Sequence, residues 1–234
     1  MLEVEGIDTF YGRSHVLQGV SLRVGEGECV ALLGRNGAGK TTTLKTIAGV
    51  LVPRDGHIRF RGEDITGRPP HEIVRRGIAW IPEERRIFPT LTVYENLKIA
   101  RLVVDGGRRM EGYLERVFSL FPRLKERLQH KGRQLSGGEQ QMLTIARGLG
   151  SEPKLLLIDE PTEGLMPALV AAIAETVRRI QRDGVAIVLV EQNTKIALET
   201  SRRTYLIEKG VIKHEGASVD LARDDAIRLR YLGV

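Results

Sequence analysis

The stretch of sequence that decides the fold reads Gly34-Arg35-Asn36-Gly37-Ala38-Gly39-Lys40-Thr41, and a second threonine, Thr42, follows it directly. It matches the pattern G-x-x-x-x-G-K-[ST]. An apolar run from Cys29 to Leu33 precedes it, and a run of helical character extends from Lys40 to about Ala48. Backbone amides of such a loop, together with the helix N-terminus behind them, form a positive concavity for anions. The sequence therefore predicts a phosphate-binding loop between a strand and a helix.

The residue types in this loop indicate a nucleoside triphosphate, ATP, with Mg²⁺. Glycines let amide groups approach the β- and γ-phosphates closely. Lys40 adds a mobile positive charge, the Thr41 hydroxyl can join the Mg²⁺ shell, and Thr42 can contact the α-phosphate. A glycine-rich turn without a ligand would not explain a lysine and a threonine directly after the last glycine.

Two carboxylates, Asp159 and Glu160, follow a second apolar run, Leu155 to Ile158. Open α/β sheets bind ligands at the carboxyl ends of their strands. We expect Asp159 to hold Mg²⁺ through water and Glu160 to orient and polarise the attacking water. Acidic residues often end strands, so the pair is informative only beside the phosphate loop, where it predicts nucleotide hydrolysis.

The pattern along the chain predicts an α/β fold with a mainly parallel sheet. Short strand-like runs dominate up to Ile81, apolar residues then repeat at helical spacing from Leu91 to Leu149, and strands return at Leu155 and Ala186. We expect one domain over 1–234. Its nucleotide-binding core, with a β-subdomain, comprises 1–87 and 151–234, and a helical subdomain occupies 88–150.

Composition limits the classes of function. The 234 residues are 41% hydrophobic and carry a net charge of +6, which we attribute first to an ordinary solvated surface. The single cysteine, Cys29, lies in an apolar run and is expected to be a small buried side chain. Apolar stretches fall short of the roughly 18 residues that span a bilayer, so any membrane part must come from another chain.

The segment Leu135-Ser136-Gly137-Gly138-Glu139-Gln140-Gln141 predicts a second anion-binding helix start, capped by Ser136. An ordinary capped helix would not explain the paired glycines. The segment resembles the signature of ABC ATPases. That resemblance implies that Ser136, Gly137, Gly138 and Glu139 face the γ-phosphate held by an opposite subunit, so that ATP joins two subunits. It also implies a P-loop NTPase (RecA-like) core with an N-terminal antiparallel β-subdomain.

The family resemblance implies further site residues. Tyr11 and Val16 lie where the family contacts adenine, and Lys40, Glu160 and Gln192 take the catalytic positions. Glu83 stands in place of the usual glutamine, and is expected to join Thr41 and Asp159 at the metal. Gln192 stands in place of the usual histidine; its amide can donate a hydrogen bond but cannot carry a proton charge. Met166 replaces the usual aspartate of the inter-subunit loop.

Several runs narrow the resemblance to one subfamily: LLGRNGAGKTT, IPEERRIFPTLTVYENL, DEPTEGL, LVEQN and a terminal YLG. Together they resemble the smaller ATP-binding subunit of branched-chain amino-acid importers, although urea and amide importers use similar subunits. The implied partners are a second ABC ATPase subunit, identical or related, integral membrane permeases and, indirectly, a solute-binding protein. The implied location is peripheral, on the cytoplasmic face of the plasma (inner) membrane.

The resemblance places a permease-docking groove near Glu83 to Asn96, with Phe88 and Pro89 against a membrane-chain helix or, equally, packed within the helical lobe. Ser218 to Val234 would be too short for the regulatory domain of some importers.

Two alternative functions remain. One is a soluble ABC ATPase that acts on DNA or ribosomes, although no nucleic acid is expected as a partner. The other is a scaffold that binds ATP without turnover, against which the intact Lys40, Asp159 and Glu160 argue.

Overall fold

The computed structural model of the protein describes residues 1–105 and 110–231. Its strands are β1 (Leu2–Tyr11), β2 (Ser14–Val24), β3 (Cys29–Leu33), β4 (Asp55–Phe60), β5 (Glu63–Asp64), β6 (Ile78–Ile81), β7 (Leu155–Asp159), β8 (Ala186–Val190), β9 (Arg203–Glu208) and β10 (Val211–Ala217). Its α-helices are α1 (Lys40–Ile47), α2 (Pro70–Arg75), α3 (Val93–Asp105), α4 (Met110–Leu120), α5 (Pro122–Glu126), α6 (Gly137–Leu149), α7 (Pro167–Arg182), α8 (Thr194–Thr200), α9 (Ser218–Arg223) and α10 (Asp225–Tyr231).

A six-stranded sheet forms the centre of the molecule, in the order β10-β9-β3-β8-β7-β6. All neighbours in it pair in parallel except β10, which runs antiparallel to β9 at one edge. Every residue of β3, β7 and β8 is buried, as expected for strands whose two faces are both covered. The prediction of a mainly parallel sheet is therefore confirmed.

A second, antiparallel sheet contains the N-terminal strands, in the order β2-β1-β4-β5. Its apolar residues, such as Leu2, Val20 and Ile58, are buried in the same cluster as those of β3 and α1. The expected antiparallel N-terminal sheet is thus present, and it packs against the element that begins at the phosphate loop.

The helices α3 to α6 lie between β6 and β7 in the chain. Their helical stripe is buried as the spacing predicts: Tyr113, Val117, Leu120 and Leu124 belong to one apolar cluster, which also contains Leu156 of β7. Residues 106–109 of the predicted helical section lie outside the described residues.

Four short helices, α2, α8, α9 and α10, are absent from the sequence-based prediction. Each has only six or seven residues, and so short a segment does not show a helical repeat of apolar residues. The last two residues of the terminal YLG run, Leu232 and Gly233, lie outside the described part of the chain. Within the described ranges, no helix is both long and apolar enough to cross a membrane.

The backbone from Phe88 to Thr92, ahead of α3, is held by one buried amide. The Asn96 side chain is 0% exposed. Its Oδ1 accepts from the Phe88 amide at 2.8 Å, and its Nδ2 donates to the carbonyls of Phe88 at 3.0 Å, Leu91 at 3.3 Å and Thr92 at 2.9 Å. The Asn96 side chain therefore ties the beginning of this segment to its end, alongside the backbone hydrogen bonds that Leu91 and Pro89 accept from Gly132 and Arg133.

Asn96→Ala is expected to lower the free energy of unfolding by about 1–3 kcal/mol, because the Phe88 amide loses its acceptor and the carbonyls of Phe88, Leu91 and Thr92 each lose one of two donors. Chemical denaturation of the whole chain measures this. Thr90→Ala, an exposed position of the same segment, is the control and should cost well under 1 kcal/mol. Equal stability of the two variants would contradict the assignment.

Candidate active site at the carboxyl edge of the parallel sheet

The loops that follow β3, β6, β7 and β8 meet at one edge of the parallel sheet. They surround a cavity of about 330 Å³. The lining residues are Val16, Asn36, Gly37, Gly39, Lys40, Thr41, Thr42, Glu83, Glu160, Glu163 and Gln192. Most of the predicted nucleotide site is thus brought together by the fold.

The phosphate loop itself requires glycine at two points. A Cβ on Gly34 would lie 2.3 Å from the Ile207 carbonyl oxygen, so only glycine fits beside β9. Gly39 has φ +112°, a conformation that other residues rarely adopt, and it sits directly before α1. Arg35 and Ala38 belong to the loop without lining the cavity.

Asp159, at the end of β7, is a buried carboxylate with one oxygen unused. Its side chain is 0% exposed, and Oδ1 accepts a hydrogen bond from the Thr41 hydroxyl at 3.2 Å. Oδ2 has no hydrogen-bond partner. Burial, together with the negative charge of Glu160, raises the pKa of Asp159 to about 6. An orphaned buried oxygen beside a hydroxyl fits a divalent cation, which would supply the missing partner.

Glu160 connects Lys40 to Gln192. Its Oε2 accepts a 2.6 Å hydrogen bond from the Gln192 side-chain amide, and its Oε1 lies 3.5 Å from the Lys40 ammonium. Lys40 also donates to the carbonyl of Gly34 at 2.9 Å. Glu160 adopts a positive φ of 46°, an uncommon conformation that aims its buried side chain at the cavity. All three predicted catalytic side chains therefore share one contact network.

Glu163 belongs to this cavity, although the sequence analysis does not place it there. Its carboxylate oxygen and those of Glu83 and Glu160 all lie within 4.8 Å of one another. A hydrogen bond with Glu160, with some desolvation, raises the pKa of Glu163 to about 7. Its position three residues after Glu160 is the only sequence signal, and that spacing could not show that the chain turns back toward Glu83.

The signature segment lies elsewhere on the molecule. Ser136 caps α6: its hydroxyl accepts from the Glu139 amide at 3.3 Å, and the Glu139 carboxylate accepts from the Ser136 amide at 2.8 Å. Gly137 and Gly138 open the helix. None of these four residues lines the phosphate cavity. They therefore contribute nothing to the cavity within one copy of the chain.

Of the three remaining predicted positions, one lines the phosphate cavity and the other two are exposed. Val16 lines the cavity, whereas Tyr11, at the end of β1, does not and is 44% exposed. Met166, directly before α7, is 69% exposed. An exposed aromatic ring and an exposed thioether are both available for contact with another molecule.

Comparison with known proteins agrees with this geometry. A sequence profile described as ABC transporter matches residues 17–163. The chain is 43% identical over 233 residues to the high-affinity branched-chain amino acid transport ATP-binding protein BraG of Pseudomonas aeruginosa, covering 100% of both chains. It is 34% identical over 235 residues to the lipopolysaccharide export system ATP-binding protein LptB of Escherichia coli K12, covering 99% of this chain and 97% of LptB.

Among solved structures, a dimeric ATP-binding cassette in a post-hydrolysis state, bound to ADP and Pi, superimposes with a TM-score of 0.83 at 25% identity. The match covers 93% of this chain and 99% of that cassette. Phosphate loop, acidic strand end, signature and full-length similarity all agree: the chain belongs to the ABC transporter family and is one of its ATP-hydrolysing subunits.

Proposed function

We propose that this chain powers a membrane importer for branched-chain amino acids. The observation that carries this proposal is the 43% identity to BraG over the whole of both chains. Urea and amide importers, which the sequence pattern also resembles, are the alternative within the same transport class. A non-transport ABC ATPase is the more distant alternative.

ATP binding is assigned to the phosphate loop, Gly34 to Thr42. Lys40 donates to the loop's own carbonyls in the structure, and its ammonium is free to donate to the β- and γ-phosphates instead. Thr41, Asp159 and Glu83 would hold Mg²⁺, since Asp159 has an unused buried oxygen and Thr41 lies beside it. When bound, Mg²⁺ supplies charge neutralisation at the phosphates.

The adenine is assigned to Val16, at the cavity wall, and to Tyr11, whose exposed ring can stack on it.

Hydrolysis is assigned to Glu160 and Gln192. Gln192 donates to Glu160 in the structure, and a γ-phosphate in the cavity offers its amide a second acceptor. Once Gln192 donates to that phosphate, Glu160 is free to accept a proton from the attacking water. Gln192 carries no titrating proton, so this exchange of partners is independent of protonation at that position.

The active assembly is proposed to be a dimer in which each ATP lies between two subunits. The signature residues Ser136 to Glu139 lie outside their own chain's cavity, and the similar cassette with ADP and Pi is dimeric. The second subunit is either another copy of this chain or a related chain. The subfamily resemblance favours a related chain. The helical section 88–150 is proposed to move as a unit and to carry the signature toward the partner's ATP.

Contact with membrane permeases is assigned to the groove beside the segment fixed by Asn96. A cavity of about 320 Å³ there is lined by residues of β6, α3 and α6, including Trp80, Pro82 and Arg147. Phe88, 40% exposed, lies next to it, with the Arg147 guanidinium 4.7 Å from its ring centroid. Such docking would hold the chain on the cytoplasmic face of the membrane. A solute-binding protein would be an indirect partner, in contact with the permeases and not with this chain.

An export function is the second candidate, because LptB matches over nearly its whole length. Uptake of labelled leucine into cells that lack this gene separates the two. We expect wild-type protein to restore uptake, whereas Glu160→Gln should not. Unchanged leucine uptake in the deletion strain, with the transporter expressed, would contradict branched-chain import while leaving the ATPase assignment intact.

Two substitutions separate binding from hydrolysis. Lys40→Ala is expected to weaken ATP binding at least about tenfold, because a charged donor to phosphate is lost. Glu160→Gln should retain ATP binding but lower the hydrolysis rate about 10²–10³-fold, and should accumulate an ATP-bound dimer. Nucleotide titration, phosphate release and size-exclusion chromatography measure these effects. Glu111→Gln, an exposed carboxylate on α4, is the control.

Asp159→Asn is expected to stabilise the nucleotide-free protein at neutral pH. Because the folded pKa of about 6 exceeds the ordinary 3.8, the native state binds this proton more tightly than the unfolded state does. The stabilisation is present below pH 3.8 and is lost as pH rises through about 6, so at pH 7 the buried charge is a cost. Removing it should raise the unfolding midpoint by roughly 5 °C.

The same substitution should abolish the stabilisation that Mg²⁺-ATP confers. In the wild type, that stabilisation should weaken as pH falls below about 6, because the Asp159 proton competes with the cation. Thermal unfolding across pH, with and without Mg²⁺-ATP, measures both effects, and Asp220→Asn on the exposed side of α9 is the control. Full Mg²⁺-ATP stabilisation of Asp159→Asn would remove Asp159 from the metal assignment.

A further inference from the structure

A second cavity, of about 890 Å³, lies between α8, α9 and α10, and we call it the C-terminal cavity. Gln192 belongs to its lining and also to the lining of the phosphate cavity. Sites for small organic molecules typically occupy about 300–1,000 Å³, with apolar walls and a few polar groups. The C-terminal cavity has that size, and Gln192 is the one residue of its described lining to which the proposed function gives a role.

The walls of the C-terminal cavity include apolar side chains from two helices. Leu198 of α8 and Val219 and Ala222 of α9 line it. Val219 is 56% exposed, so an apolar group inserted between the two helices would remove this side chain from water. The cavity therefore favours a ligand with an apolar body.

The charges around the same cavity are unequal in sign. Three cationic residues, Lys195, Arg202 and Arg228, line it, against one carboxylate, Glu199. Within the described part of the chain, the Arg202 side chain makes no hydrogen bond or ion pair, and the Nε of Arg228 is buried without a partner although its guanidinium pairs with Asp225. Arg202 is thus available to an acidic group, and Arg228 adds a second positive charge to the lining.

We propose that the C-terminal cavity binds a small amphipathic carboxylate, with its apolar body between α8 and α9 and its acid group on Arg202 and Arg228, and that its occupancy slows ATP hydrolysis. A fatty acid and a branched-chain oxo acid both have this chemistry. The lining does not favour a cationic ligand, since Glu199 already lies 3.9 Å from the Lys195 ammonium and 4.0 Å from a guanidinium nitrogen of Arg178.

The effect on hydrolysis follows from the position of α8. Gln192 immediately precedes Asn193, whose Oδ1 accepts from the Ile196 amide at 3.2 Å and caps this helix. A ligand that fixes α8 against α9 restrains Gln192 in its 2.6 Å contact with Glu160. Hydrolysis requires Gln192 to release Glu160, so a restrained Gln192 lowers the rate.

Titration calorimetry of the purified full chain with decanoate, below its micelle concentration, tests whether the C-terminal cavity binds a carboxylate. We expect one saturable site. Arg202→Gln combined with Arg228→Gln should weaken decanoate binding at least about tenfold. The matched control, Arg123→Gln with Arg182→Gln, removes two exposed helix-surface arginines outside the cavity and should bind decanoate as the wild type does.

Ala222→Trp tests the cavity without removing charge. Ala222 is exposed, so the indole can fill the cavity without disturbing the core, and thermal unfolding verifies that the variant is folded. This variant should lose decanoate binding. Wild-type hydrolysis should fall severalfold at saturating decanoate, and that of Ala222→Trp should not.

Comparison of several compounds in the same calorimetric titration identifies the ligand class. Tighter binding of decanoate than of 4-methyl-2-oxopentanoate identifies an acyl-chain acid, and the reverse identifies a short branched acid; either supports the proposal. Decanol binding as tightly as decanoate would overturn the acid-group assignment. Absence of saturable binding by both acids, or equal binding by Ala222→Trp, would overturn the site. Unchanged hydrolysis at saturation would overturn the regulatory effect, while the ATPase assignment would stand.

Discussion

Parallel pairing of β6, β7, β8 and β3 is the constraint on which the site depends. Ile81 pairs with Ile158, Asp159 pairs with Val190, and Val190 pairs with Leu32, so the four strands end at nearly the same level. Each loop that follows contributes at least one residue to the cavity, from the phosphate loop after β3 to Glu83 after β6. A shift of register by one residue would turn these side chains to the other face of the sheet and separate them.

The groups gathered at this edge oppose one another electrostatically. Asp159 is fully buried with one oxygen unpaired, and Glu160 lies close to Glu83 and Glu163. Lys40 is the one cation that lines the phosphate cavity within the described chain. An acidic cluster of this kind destabilises the protein alone and attracts a cation, so stability and nucleotide binding make opposite demands on the same residues.

Elements with a strong apolar pattern, or directly beside a motif, could be predicted from the sequence. Strands β3, β7 and β8 are short apolar runs next to motifs, and apolar residues repeat at helical spacing through the section that contains α3 to α6. The short helices α8, α9 and α10 could not be predicted in this way. Their residues are polar and apolar in nearly equal measure, and tertiary packing stabilises them. Leu198 of α8 and Leu221 of α9 are buried in one cluster with residues of β3 and β9, and Ile227 and Tyr231 of α10 pack against that cluster. The C-terminal cavity, which these helices enclose, could therefore not be predicted from the sequence.

The sequence by itself determined the family and the identity of the phosphate loop, the acidic strand end and the capped signature helix, because each motif depends on neighbours within about eight residues. Only the tertiary structure decided that Gln192 donates to Glu160 across 32 positions, that Glu163 approaches Glu83, and that Gln192 borders two cavities. Those contacts join separate loops, and their distances follow from strand register and helix packing rather than from local spacing.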